Sequence, residues 1–107
     1  MMHVQEEFVG FKEYEKFVNE TAVYRDNVYP VLGLAGECGE FVELVKKAWR
    51  KHENKWSENF DTDLACSELG DILWYITRIC GVLDIPLEKI AEYNVEKLTD
   101  RKKNGKK

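Results

Sequence analysis

Apolar residues return every three or four positions along most of this chain, and they divide it into four helical stretches. The first covers 4–19, with Phe8, Phe11, Tyr14, Phe17 and Val18 on its apolar side and Glu6, Glu7, Lys12, Glu13 and Lys16 on its solvated side. The pattern breaks over 20–29, where Asp26-Asn27 and Tyr29-Pro30 predict a connection ending at a helix start, a position that proline favours. A second helix follows over 30–52, striped by Leu34, Cys38, Phe41, Val42, Val45 and Trp49. Residues 51–59 are polar and aperiodic, a loop in which Trp56 reads as a lid on the core. The third helix, over 61–81, is apolar through Leu64, Ala65, Cys66, Leu69, Ile72, Leu73, Ile76, Ile79 and Cys80. Trp74 falls off that stripe, which predicts that a partner chain buries it. Asp84-Ile85-Pro86 opens the fourth helix, whose inward face starts as Leu87, Ile90 and Ala91 and continues in polar residues as Asn94, Lys97 and Arg101. Asn104-Gly105 ends it within a basic tail. The expectation is an all-α, four-helix bundle-like subunit that assembles through its helices into a dimer or tetramer.

At 107 residues the chain is a single domain, 1–107, with room for one core. Its net charge of -4 argues against a nucleic acid polymer as partner, since phosphate-backbone binding calls for an excess of Lys and Arg. No apolar run approaches a membrane span, so no membrane is expected. Cys38, Cys66 and Cys80 lack metal-site spacing and fall at apolar helical positions; they read as reduced core residues of a cytoplasmic protein.

The chemistry concentrates in two short runs. Gly33-Leu34-Ala35-Gly36-Glu37-Cys38-Gly39-Glu40 and Ser67-Glu68-Leu69-Gly70-Asp71 each place two carboxylates three residues apart, hence on one helical face. Packing the two helices together would gather four anions, which repel unless a cation sits among them. Carboxylates without histidine favour a hard ion, Mg²⁺ with Mn²⁺ as a substitute, over Zn²⁺. Each interior glycine costs about 0.8–1 kcal/mol against alanine, so Gly33, Gly36 and Gly39 predict close approach by a backbone or a ligand. Magnesium also binds substrate phosphates, and the flanking Lys47, Tyr75, Asn94, Lys97 and Arg101 extend the reading to a phosphorylated substrate. One carboxylate can then orient or deprotonate the attacking water, and Glu40 is the candidate for that catalytic role.

These residues resemble the MazG-like all-α nucleotide pyrophosphohydrolases, related to the helical dUTPases and dCTP pyrophosphatases. The match is the glycine-rich run through Glu40 with Lys46-Lys47 and Arg50, then Glu68 to Tyr75, then Asn94 to Arg101. Gly36 stands where the family's E-E-x-x-E motif has its first Glu, leaving Glu37-x-x-Glu40. The resemblance implies Mg²⁺ on Glu37, Glu40, Glu68 and Asp71, and hydrolysis of a nucleoside or deoxynucleoside triphosphate to monophosphate and pyrophosphate, in keeping with nucleotide-pool house-cleaning. It also implies self-association as a dimer or tetramer, with Tyr75, Lys97 and Arg101 on phosphates, Asn94 assisting and Lys47 nearby. The alternative from the residues is a metal- or nucleotide-binding helical module without turnover, or a protein-interaction module.

Overall fold

The computed structural model describes residues 10–23 and 26–105. Four α-helices make up the described chain, with no strand among these residues: α1 (Phe11–Thr21), α2 (Tyr29–His52), α3 (Thr62–Leu83) and α4 (Leu87–Lys103). Two short 3-10 turns, Glu53–Lys55 and Ser57–Asn59, join α2 to α3. The all-α expectation therefore holds, and the interior helices begin within one residue of the positions their periodicity predicts. The N-terminal part of the predicted first helix, including Phe8, Glu6 and Glu7, lies outside the described residues.

Local chemistry accounts for the boundaries. Pro30 occupies the first turn of α2, where its missing N–H costs no intrahelical bond, and it is buried there. Asp61 caps α3 by accepting a 3.0 Å bond from the Leu64 N–H. At the far end Asp84 adopts the left-handed conformation (φ 57°) and its N–H bonds back to the carbonyls of Cys80 and Gly81. Pro86 then stands just ahead of α4, whose first turn carries Glu88 at the favourable end of the helix dipole.

The helical hairpin of α2 and α3 is the body of the molecule, and α1 packs along α3. Val18 of α1 and Thr77 of α3 are fully buried, and the Thr77 hydroxyl donates to the Leu73 carbonyl at 2.7 Å. Two longer links fasten α1 to α3: the Trp74 indole N–H donates to Thr21 Oγ1 at 3.3 Å, and the Arg78 guanidinium donates to Asn19 Oδ1. Trp74 is thus half-buried and bonded to Thr21 within its own chain, with part of its surface left open. At the hairpin tip Trp56 packs edge-on against Phe60, which in turn faces Phe41, the lid role expected for that tryptophan.

α4 departs from a closed bundle. It rests chiefly on α1, where Glu15 accepts the N–H of Leu87 at 3.2 Å, and every residue from Glu88 to Gly105 is exposed. The predicted inward face of α4 therefore meets little protein beyond Leu87. Several expected core residues are exposed too: Val42 and Trp49 of the α2 stripe, Leu64 and Leu69 of α3. Cys66 is exposed, Cys38 half-buried and only Cys80 buried, so the three thiols do not share the core setting predicted for them. In total the chain exposes 8933 Å², whereas a compact monomer of 12.6 kDa would expose about 6,200 Å².

Candidate metal and phosphate site

The carboxylates of Glu37 and Glu40, one turn apart on α2, face Glu68 across the hairpin. One ligand oxygen from each of the three lies within 4.8 Å of the others, a spacing that a single cation can bridge. Glu37 and Glu68 are half-buried and Glu40 is exposed. Glu37 Oε2 and Glu68 Oε2 are each buried without a hydrogen-bond partner. Orphaned buried carboxylate oxygens are costly in a native fold, and two of them on members of one cluster fit a site made for a hard cation.

The electrostatics agree with that geometry. Burial, then the charges of Glu40 and Asp71, a hydrogen bond with Glu40 and the charge of Glu68 all push the Glu37 carboxyl above the ordinary range. Asp71 lies outside the converging trio and instead lines, with Glu37, Trp74 and Tyr75, a cleft of about 340 Å³. Helical geometry explains its place, since Asp71 follows Glu68 by three residues along α3.

Tyr75 is fixed on the wall of this cleft. Its ring lies against Gly33, where an added Cβ would overlap the aromatic carbons, and its hydroxyl shares a hydrogen bond with Tyr29. Close approach thus explains Gly33. A Cβ at Gly36 or Gly39 would meet nothing within 4 Å, so the prediction made for those two glycines is not met within one chain. Burial, followed by the charges of Tyr29 and Glu37, raises the Tyr75 phenol, which keeps it protonated and able to donate at neutral pH. Tyr29 and Trp74 are the site residues that sequence reasoning passed over. The signal for Tyr29 was present: it stands four residues before Gly33 and so shares its face.

The remaining predicted residues lie apart from the carboxylates. Lys47 is exposed on α2, about 10 Å along the axis from Glu40. Asn94 lines a groove of about 720 Å³ between α1 and α4 that Leu73 floors, and Lys97 borders a separate hollow with Tyr93, Glu96 and Asp100. Arg101 is exposed in the last turn of α4, and Arg78 is engaged with Asn19. One chain therefore assembles the acidic half of the site together with Tyr75, while the α4 cations stand elsewhere.

Comparison with known proteins shows the family. Residues 30–106 match the MazG nucleotide pyrophosphohydrolase domain, a span that begins at the first turn of α2 and contains all four carboxylates. The chain is 33% identical over 101 residues to the gene 37 protein of Mycobacterium phage L5, covering 86% of this chain and 88% of the phage protein. No solved structure matches it.

Proposed function

The chain belongs to the MazG nucleotide pyrophosphohydrolase family, and on that premise we propose that it hydrolyses a nucleoside or deoxynucleoside triphosphate to the monophosphate and pyrophosphate. The observation that carries the reading is the pair of orphaned oxygens, Glu37 Oε2 and Glu68 Oε2, within a three-carboxylate cluster. Glu37, Glu40 and Glu68 would hold a divalent cation, Mg²⁺ with Mn²⁺ as substitute, and Asp71 would join them from the cleft wall. When bound, the ion supplies charge neutralisation and polarises a phosphoryl oxygen.

The protein's own groups divide the remaining work. Glu40 is the exposed member of the trio, so its carboxylate can accept a proton from water approaching the cleft. The Tyr75 hydroxyl, set by Tyr29 and by the Gly33 backbone, donates toward a phosphate oxygen in the same cleft. Lys47 from α2, and Asn94, Lys97 and Arg101 from α4, are the proposed phosphate-holding groups, with α4 delivering the last three. The substrate is a small nucleotide. Among the described residues no helix is long and apolar enough to cross a membrane, and the free thiols of Cys38, Cys66 and Cys80 are in keeping with a reducing, cytoplasmic setting. We include self-association as a dimer or tetramer, supported by the excess accessible surface.

The test is pyrophosphate release from a panel of ribo- and deoxyribonucleoside triphosphates with Mg²⁺, Mn²⁺ or EDTA. Metal-dependent release that disappears in Glu40→Gln is the expected result. Gly36, standing where the family motif has a Glu, favours a second reading, nucleotide binding without turnover. That reading gains if nucleotides raise the melting temperature and none is cleaved.

A further inference from the structure

A chain-wide charge of -4 argues against a general nucleic-acid surface, but it conceals how the charges are distributed. Residues 46–55 hold five of the sixteen Lys and Arg residues and one of the twenty acids. They form the end of α2 and the 3-10 turn after it, at the tip of the hairpin. Lys47, Arg50, Lys51 and Lys55 are exposed, and none of the four makes an ion pair among the described residues, whereas Lys46 pairs with Glu43 at 3.7 Å. Trp49 stands among them with 51% of its surface open. At about 100° per residue, Trp49, Lys46, Arg50, Lys47 and Lys51 follow one another around about 200° of the helix. Glu53 ends the helix at φ 50°, its N–H bonding to the Trp49 carbonyl, and Lys55 follows in the next turn.

We propose that this tip is a binding surface for single-stranded nucleic acid, with Arg50, Lys51 and Lys55 on backbone phosphates and the Trp49 ring stacked on a base. The helix dipole alone favours cations at a helix C-terminus, and it accounts for Arg50, Lys51 and His52 in the last turn. It accounts neither for an open indole among them nor for Lys55 beyond the helix end. Sequence-tolerant strand binding needs both parts: cations free of internal acids to track the phosphates, and an aromatic ring, because every base has a π face. An acidic peptide would use the cations and leave the indole face without a planar partner. A duplex keeps its bases stacked on one another, so the ring selects a single strand.

The position of the tip keeps this surface apart from the proposed hydrolytic site. Lys51 lies about 16 Å beyond Glu40 along the α2 axis, so a strand held at the tip leaves the carboxylate cleft open to small nucleotides. Lys47, nearer the carboxylates, stays with the phosphate-holding role proposed above. Acids dominate the rest of the chain, and their field confines phosphates to the tip. Three phosphate contacts on a single strand give log K against log salt a slope of about -2, and an affinity on the order of 10⁻⁵ M at low salt.

Fluorescence anisotropy of a labelled oligothymidylate of about fifteen nucleotides, titrated with the full chain in EDTA, tests the assignment. The expected result is binding that weakens about fifteenfold between about 50 and 200 mM KCl. Trp49→Leu should weaken it about tenfold through lost stacking. Arg50→Gln with Lys51→Gln should reduce the salt slope to about -0.7, the value for one remaining phosphate. Lys102→Gln with Lys103→Gln, at the end of α4, should leave affinity and slope unchanged, and circular dichroism checks that every variant stays helical. No binding at low salt would overturn the proposal, and so would binding that ignores Trp49→Leu or that depends on the α4 lysines instead. Polyglutamate that displaces the label as well as unlabelled oligothymidylate does would assign the tip to acidic proteins and overturn it too. With EDTA present and no triphosphate added, every outcome leaves the pyrophosphohydrolase reading to its own assay.

Discussion

Gly33 and Gly36 lie three residues apart in the same helix, yet replacing each by alanine should have different consequences. Alanine gains about 0.8–1 kcal/mol over glycine within a helix, and that gain is common to both sites. At Gly36 the new methyl meets nothing within 4 Å, so the whole gain is kept. At Gly33 it collides with the Tyr75 ring, which cannot slide freely because its hydroxyl is bonded to Tyr29 and Glu37 flanks it. Overpacking of this kind costs about 1–3 kcal/mol, leaving Gly33→Ala between neutral and about 2 kcal/mol destabilised. The two variants should therefore differ by about 1–3 kcal/mol, because the propensity gain cancels in the comparison. At roughly 4–8 °C per kcal/mol for a domain near this size, Gly36→Ala should melt above the parent and Gly33→Ala at or below it. Calorimetry or circular dichroism melts at one fixed protein concentration read the difference, since an associating chain melts at a concentration-dependent temperature. Equal and positive shifts for both variants would show that Tyr75 does not rest on Gly33, and the account of its position on the cleft wall would fall with that contact.

Other expectations follow from the same cluster. Magnesium should raise the melting temperature of the parent chain, whereas Glu68→Gln should be more stable than the parent in EDTA and respond less to the metal; a thermal shift series reads both. In EDTA the Glu37 carboxyl, raised above its unfolded value, binds its proton more tightly when folded. This group's contribution therefore makes the fold more stable as pH falls from neutrality through the raised folded value toward the ordinary carboxylate range, and less stable as pH rises; Glu37→Gln should flatten that slope in urea titrations. Tyr75→Phe should lower kcat/KM about tenfold if its hydroxyl donates to the phosphate, with helicity unchanged. Cys66 should react with a maleimide well before Cys80, whose thiol is buried and raised first by burial and then by the Glu15 charge; mass-mapped labelling at pH 7.5 checks the order.

Helix existence, helix order and the acidic pairs were legible in the chain because each is a property of spacing. Glu37, Glu40 and Glu68 converge because i,i+3 placement and an antiparallel hairpin leave them facing one another. What spacing does not carry is the identity of the covering surface. Val42 and Trp49 share the apolar stripe with Leu34 and Phe41, yet only the latter two are shielded by the chain's own helices. Trp74 and Arg78 bond to Thr21 and Asn19, more than fifty residues away, and no local pattern encodes such pairings. Asn94, Lys97 and Arg101 follow the period of an inward face, but the turn at Asp84 directs α4 along α1, away from the carboxylates.

These displacements have a common physical basis. A short helical chain that assembles three carboxylates on its central hairpin must offset their mutual repulsion, and the charges available for that are a bound cation or bases brought from α4. Tyr75, a neutral phenol, shares the cleft with Glu37 and Asp71, whereas Lys97 borders a separate hollow and Arg101 is exposed on α4. Meanwhile the same hairpin leaves its outer α2 face apolar and bare, and α4 exposes Ile90, Val95 and Leu98 along a helix with few contacts to hold it. A 17-residue helix with so little packing is marginal by itself in water. The unsatisfied acids and the uncovered apolar faces thus point the same way, toward a fold whose stability depends on what it binds. Metal and self-association should therefore stabilise it in combination, and removing both should cost more than either alone if ion binding and packing of a second copy order the same hairpin.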